Sequence, residues 1–98
     1  MKFKLILSPQ RRDDTLEIVK DGAKLIINGE EYDFSPLADG ATLPAEAVGC
    51  EFVVGNVDRT GDTITLTVLL PNSATASEAA RFPEPVLVSN DGKVVLPE

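Results

Sequence analysis

Apolar and polar side chains alternate in short bursts along this chain, and glycine or proline separates most bursts from the next. Lys2-Phe3-Lys4-Leu5 sets the pattern, and Leu7 continues its apolar face. A period of two is the mark of a half-buried β-strand. Ser8-Pro9 is expected to end this strand, because proline cannot donate to a ladder. Residues 10–14 are a polar connection. Residues 15–20 form the next strand, with Leu16 and Ile18 on one face, and Asp21-Gly22 turns the chain into a returning strand at 23–27. Asn28-Gly29 then predicts a two-residue type I′ turn, which needs positive φ at both positions. Residues 31–34 complete a three-stranded meander, with Tyr32 and Phe34 on one face and Glu31 and Asp33 on the other.

Residues 35–50 are a long connection. Asp39-Gly40 makes a turn, and Pro44 to Val48 fits one helical turn with proline in its first position. Leu37, Leu43 and Val48 are expected to pin the segment to the sheet. A hairpin follows, with arms at 51–57 and 63–70 around the loop Asp58-Arg59-Thr60-Gly61-Asp62, where Gly61 takes the left-handed position. Thr63-Ile64-Thr65-Leu66-Thr67-Val68 alternates strictly, so Ile64, Leu66 and Val68 point inward. Gly55, inside the first arm, marks a bulge or a close backbone approach. Pro71 is expected to end the second arm. Residues 71–85 form a second long connection, with a brief helix at 77–81 and an extended Phe82-Pro83-Glu84-Pro85, since residues before proline avoid the α region. Strands at 86–89 and 93–96, joined by Asn90-Asp91-Gly92, read as a terminal hairpin.

The count is roughly eight short strands, without a long amphipathic helix or an internal repeat. That pattern predicts an all-β fold, a small antiparallel β-sandwich or partly open barrel in a single domain over residues 1–98. Phe3, Tyr32, Phe34, Phe52 and Phe82 are the only aromatic residues, so the interior must be mostly Val, Leu and Ile.

Charge narrows the partners. The formal net charge is −7. Nucleic acid and anionic membrane surfaces both call for clustered Lys and Arg, so neither is expected as a partner. No apolar run reaches the length of a membrane span, and Leu5-Ile6-Leu7 is too short for a signal-peptide core. Cys50 is the single cysteine, so no intrachain disulfide is possible. The chain has no histidine to activate Cys50, which is expected to be a small core residue.

Chemistry finds little footing. Asp13-Asp14, Glu30-Glu31 and Asp58 with Asp62 are carboxylate clusters in turns or at strand starts, where charges are usually solvated. The 58–62 loop lacks the ligand spacing of a calcium-binding EF-hand loop. One cysteine without histidine builds no zinc site. The expectation is a non-enzyme with no cofactor, no metal and no catalytic residue. Two proline-stiffened loops carry more weight, Phe34-Ser35-Pro36-Leu37 and Phe82-Pro83-Glu84-Pro85. Stiff segments lose less entropy on docking. Phe82, Pro83 and Pro85 are the first candidates for partner contact, with Leu37 and the Arg11-Arg12 pair second. For Phe34 the favoured reading is that it folds back to cap the sandwich.

MKFKLILSPQRRDDTLEIV, NGEEYDFSPLADGATLPAEAV, the arm TLTVLLP, and RFPEPVLV with DGKVVLP resemble small proteins of tailed-phage and prophage genomes, from gene clusters of the tail region. The resemblance runs over nearly the whole chain in segment order, and it brings no catalytic residues. It implies a structural or interaction protein of a phage tail tip, baseplate or fibre, made in the host cytoplasm and carried in the virion. Other phage tail proteins would be its partners, in a homo- or hetero-oligomer. Two alternatives belong to other classes: a tail-fibre assembly chaperone absent from the mature virion, and an acidic inhibitor of a host protein.

Overall fold

Alternation in the first strand puts Phe3, Leu5 and Leu7 in the interior and leaves Lys2, Lys4 and Ile6 outside. A computed structural model describes residues 1–11, 15–72 and 84–96. Nine strands and one helical turn occur among them: β1 (Lys2–Arg11), β2 (Ile18–Asp21), β3 (Lys24–Ile27), β4 (Glu30–Asp33), β5 (Thr42–Leu43), α1 (Ala45–Val48), β6 (Val53–Thr60), β7 (Thr63–Asn72), β8 (Val86–Val88) and β9 (Gly92–Lys93). They form two sheets, ordered β5-β6-β7-β1-β8 and β4-β3-β2-β9. The fold is all-β, a small sandwich in which a single aliphatic cluster draws on both sheets. Phe3 of the first sheet meets Phe34, at the end of β4, edge to face at 5.9 Å, so Phe34 does fold back onto the interior.

The meander forms as its turn residues dictate. Asn28 and Gly29 adopt φ of 51° and 85°, the pair of positive values that a type I′ turn needs. Asn28 is also tied outward. Its Oδ1 accepts from the Glu17 N–H and its Nδ2 donates to the Thr15 carbonyl. Gly55 resolves as a bulge: the β6/β7 register shifts between Val54 and Asp58, Gly55 has φ 75°, and no atom lies close to where its Cβ would stand. Ile64, Leu66 and Val68 are all buried, as the alternation in β7 requires. Cys50 is buried in the same cluster.

Several boundaries differ from the sequence reading, each for a physical reason. Pro9 does not end β1, which runs on to Arg11. β8 covers β1 only from Phe3 to Leu5, so beyond Ile6 that side has no described strand and a missing N–H facing it costs no ladder bond. Pro71 is likewise inside β7, past the last β6 pairing at Val53. The β6/β7 loop is shorter than expected. β6 continues to Thr60, β7 begins at Thr63 as expected, and the turn is Gly61-Asp62. Arg59 holds it by donating from Nε to the Gly61 carbonyl. Pro44 is the N-cap of α1 rather than its first helical residue, with Gly49 closing the turn in the left-handed conformation.

Two findings concern topology. β1 and β7 pair in parallel over ten residues, the longest ladder among the described residues, where every other pairing is antiparallel. The expected terminal hairpin does not form. β8 pairs with β1 in one sheet, and β9 pairs with β2 in the other. Asp91 explains the split. Its Oδ1 accepts from Lys20 Nζ at 2.8 Å and from the Gly22 N–H at 3.0 Å, which draws the chain across to the meander. Val94 then donates to the Ile18 carbonyl and buries its side chain. Lys20 itself lies on the inward face beside Ile18 and is only 3% exposed, its stem packed and its ammonium surfacing at Asp91.

Candidate functional site

Most carboxylates of the turns have structural employment. Asp58 accepts from the Thr42 hydroxyl at 2.6 Å, and Asp39 accepts from the Gly61 N–H at 2.7 Å. Asp33 accepts from the Ser35 N–H, a local turn bond that holds its carboxyl below the ordinary range. Lys24 pairs with Glu31 at 3.0 Å, which raises the lysine. Asp91 is lowered by Lys20 first and by the Gly22 N–H second. Among the described residues no group of three or more His, Cys, Asp or Glu is placed to hold a metal ion.

Three of the six expected contact residues, Leu37, Pro85 and Arg11, lie among the described residues. Leu37 is half-buried against the core, and its carbonyl accepts from Arg59 Nη1 at 2.7 Å, which docks the 37–41 loop on the β6/β7 turn. Pro85 is exposed just before β8. Arg11 is the last residue of β1. Phe82, Pro83 and Arg12 lie outside the described residues, as do the helix expected at 77–81 and the Asp13-Asp14 pair.

Two surfaces stand out instead. The first is the outer side of the β1/β8 pair. Leu87 sits opposite Lys4, and Ile6 is the next outward residue along β1, diagonal to Leu87. Leu87 is 64% exposed and Ile6 39% exposed. Cross-strand and diagonal neighbours on one face lie within mutual reach, so the two make a short apolar strip next to Pro85. Its flanks are Lys4 and, on β7, Thr65 and Thr67. Alternation predicts that Ile6 faces outward from β1, but Leu87 emerged only from the β8 pairing that the sequence reading missed.

The second is a cleft of about 330 Å³ between the meander and the entry to β6. One wall is Ile27, Asn28, Glu30 and Tyr32; the other is Gly49, Cys50, Glu51 and Phe52. The Tyr32 hydroxyl donates to Glu30 Oε2 at 2.8 Å, and the Cys50 thiol is also within hydrogen-bonding reach. The Glu30 carboxylate is the main reason the Tyr32 phenol holds its proton above the ordinary range, and the thiol and partial burial add to it. Glu30-Glu31 flagged half of this site as an acidic cluster. Its other half comes from residues 49–52, which no local pattern ties to the Asn-Gly turn. No protein-family model, curated protein or solved structure matches the chain.

Proposed function

We propose that this chain is a small β-domain of a phage tail tip, baseplate or fibre assembly, which works by binding other virion proteins. The resemblance in segment order to tail-region phage proteins supports the reading. The observation that carries it is the Leu87–Ile6 strip. Leu87 stands mostly in solvent on an edge strand, while its neighbours Val86 and Val88 are half-buried. A leucine fixed by a two-strand ladder is presented rather than loose, and covering it with a partner removes apolar area from water at roughly 25 cal/mol per Å². Edge strands also leave backbone donors and acceptors for a partner strand.

The test is proteomics and imaging of purified particles made with and without the gene. The chain is expected in finished particles, and particles lacking it are expected to show defective tails or failed adsorption. Normal assembly and adsorption without it would contradict the proposal. Its presence in infected-cell extracts but never in particles would point to an assembly factor.

A further inference from the structure

The acidic cleft has a composition that selects the sign and shape of its occupant. None of its lining residues is basic. Asn28 lines it, with its Oδ1 taken by the Glu17 N–H and one Nδ2 hydrogen by the Thr15 carbonyl, which leaves one neutral amide N–H. The Tyr32 proton is committed to Glu30. The charged capacity left among these side chains is all acceptor: the second oxygen of Glu30 and the Glu51 carboxylate, which makes no ion pair among the described residues, with the Tyr32 oxygen beside them; the donors left, an Asn28 N–H and the Cys50 thiol, are neutral. Ile27 and Phe52 give the same cavity apolar wall. An anion would meet two carboxylates and no basic side chain among these lining residues. A neutral polar group gains less than a charged donor would, because bonds to ionised acceptors are the stronger kind. At about 330 Å³ the cleft lies at the small end of ligand pockets, room for a side-chain-sized group.

We propose that this cleft is a recognition pocket for a guanidinium or ammonium group on a short alkyl stem. The cationic head sits between Glu30 and Glu51 near the Tyr32 oxygen, and the stem lies against Ile27 and Phe52. The head can come from an arginine or lysine side chain of a protein partner or from a free small amine. The inference stands apart from the tail-assembly reading, since the pocket chemistry holds whichever particle or cell the partner belongs to.

The experiment is a titration of the ¹⁵N-labelled protein at pH 7, followed by amide chemical shifts. The probes are butylguanidinium, a Gly-Ser-Gly-Arg-Gly-Ser-Gly peptide, and butyrate as the anionic control. Saturable shifts centred on Gly49, Glu51, Phe52 and Glu30 are expected for the cations and none for butyrate. Glu30→Gln and Glu51→Gln should each weaken binding about tenfold, the worth of one charge-assisted contact. Glu46→Gln, on exposed α1 outside the cleft, should leave binding unchanged. Both cleft glutamates are exposed and their Gln variants keep the shape, so an unchanged amide spectrum of the free variants certifies the fold. A peptide that binds at least as well as butylguanidinium assigns the pocket to protein side chains; saturation by the small cation alone assigns it to free amines. Shifts spread over the whole acidic surface without saturation, or affinity in the two cleft variants unchanged from the native chain, would overturn the proposal.

Discussion

The two sheets are built by opposite means. The β2-β3-β4 meander is local: four-residue strands joined by Gly-containing two-residue turns, each pairing with its neighbour in sequence. The larger sheet is held by the ten-residue parallel ladder of β1 with β7, whose partners meet only after the meander and the β6 arm have been laid down. Local hairpins form from turn chemistry, whereas a parallel pair needs a long crossover and loop closure before any contact rewards it. The surfaces differ as well. The meander side carries the acidic cleft, and the ladder side carries the Lys4–Ile6–Leu87 strip. The two scaffolds therefore present two chemically distinct surfaces.

The largest effect expected from breaking this comparison is on the ladder. Leu66→Ala removes a fully buried side chain paired with Leu5, and Phe3→Ala removes one that also meets Phe34. Each should cost about 3–5 kcal/mol in denaturant unfolding, a large part of the stability of a domain this size.

Next comes the tie that holds the chain after β8 to the meander. Asp91→Ala leaves the Lys20 ammonium without its carboxylate and should lower the melting temperature. Adding Lys20→Met, which keeps a buried stem and removes the charge, should recover part of that loss. The pH dependence has a definite sign. Asp91 and Asp33 titrate below their ordinary value of 3.8 when folded, so as pH falls the unfolded chain binds protons first. Their contribution is complete above about pH 5 and drains away as pH drops below about 4. The gap in melting temperature between the native chain and Asp91→Asn should be widest near neutrality and narrow as pH falls below about 4.

Smaller effects belong to the turns. Gly55→Ala places a Cβ at φ 75° in open space, so only the backbone penalty applies, about 1–2 kcal/mol. Smallest on stability is Leu87→Ser, expected to change unfolding by less than about 0.5 kcal/mol because the side chain already stands in water. A large loss there would show that Leu87 is part of the core rather than of a contact surface.

What was legible in the sequence follows the same division. Asn28-Gly29, the alternation of Ile64, Leu66 and Val68, the inward Phe34 and the Gly55 bulge all obey rules that act over a few residues, and each held. The pairing of β1 with β7 is not written in either strand. It is fixed by which apolar faces fill a common interior, and Pro9 and Pro71 were misread because their ladders stop on one side before reaching them. The false terminal hairpin has the same origin. Asn90-Asp91-Gly92 has good turn chemistry, but Lys20 and the Gly22 N–H, far back in the chain, take the Asp91 carboxylate. The cleft was not legible for the same reason: Glu30-Glu31 reads as a solvated cluster and Tyr32 as one face of a strand, and residues 49–52 join them only by folding.

The central claim is that the exposed strip on β1 and β8 is a binding surface. The direct measurement is affinity capture from cells co-expressing the tail proteins, with the native chain and Leu87→Asp compared at equal folded amounts. The account predicts that the native chain retains a defined tail protein and that Leu87→Asp loses it while melting within a degree or two of the native chain. Equal capture by both chains would contradict it.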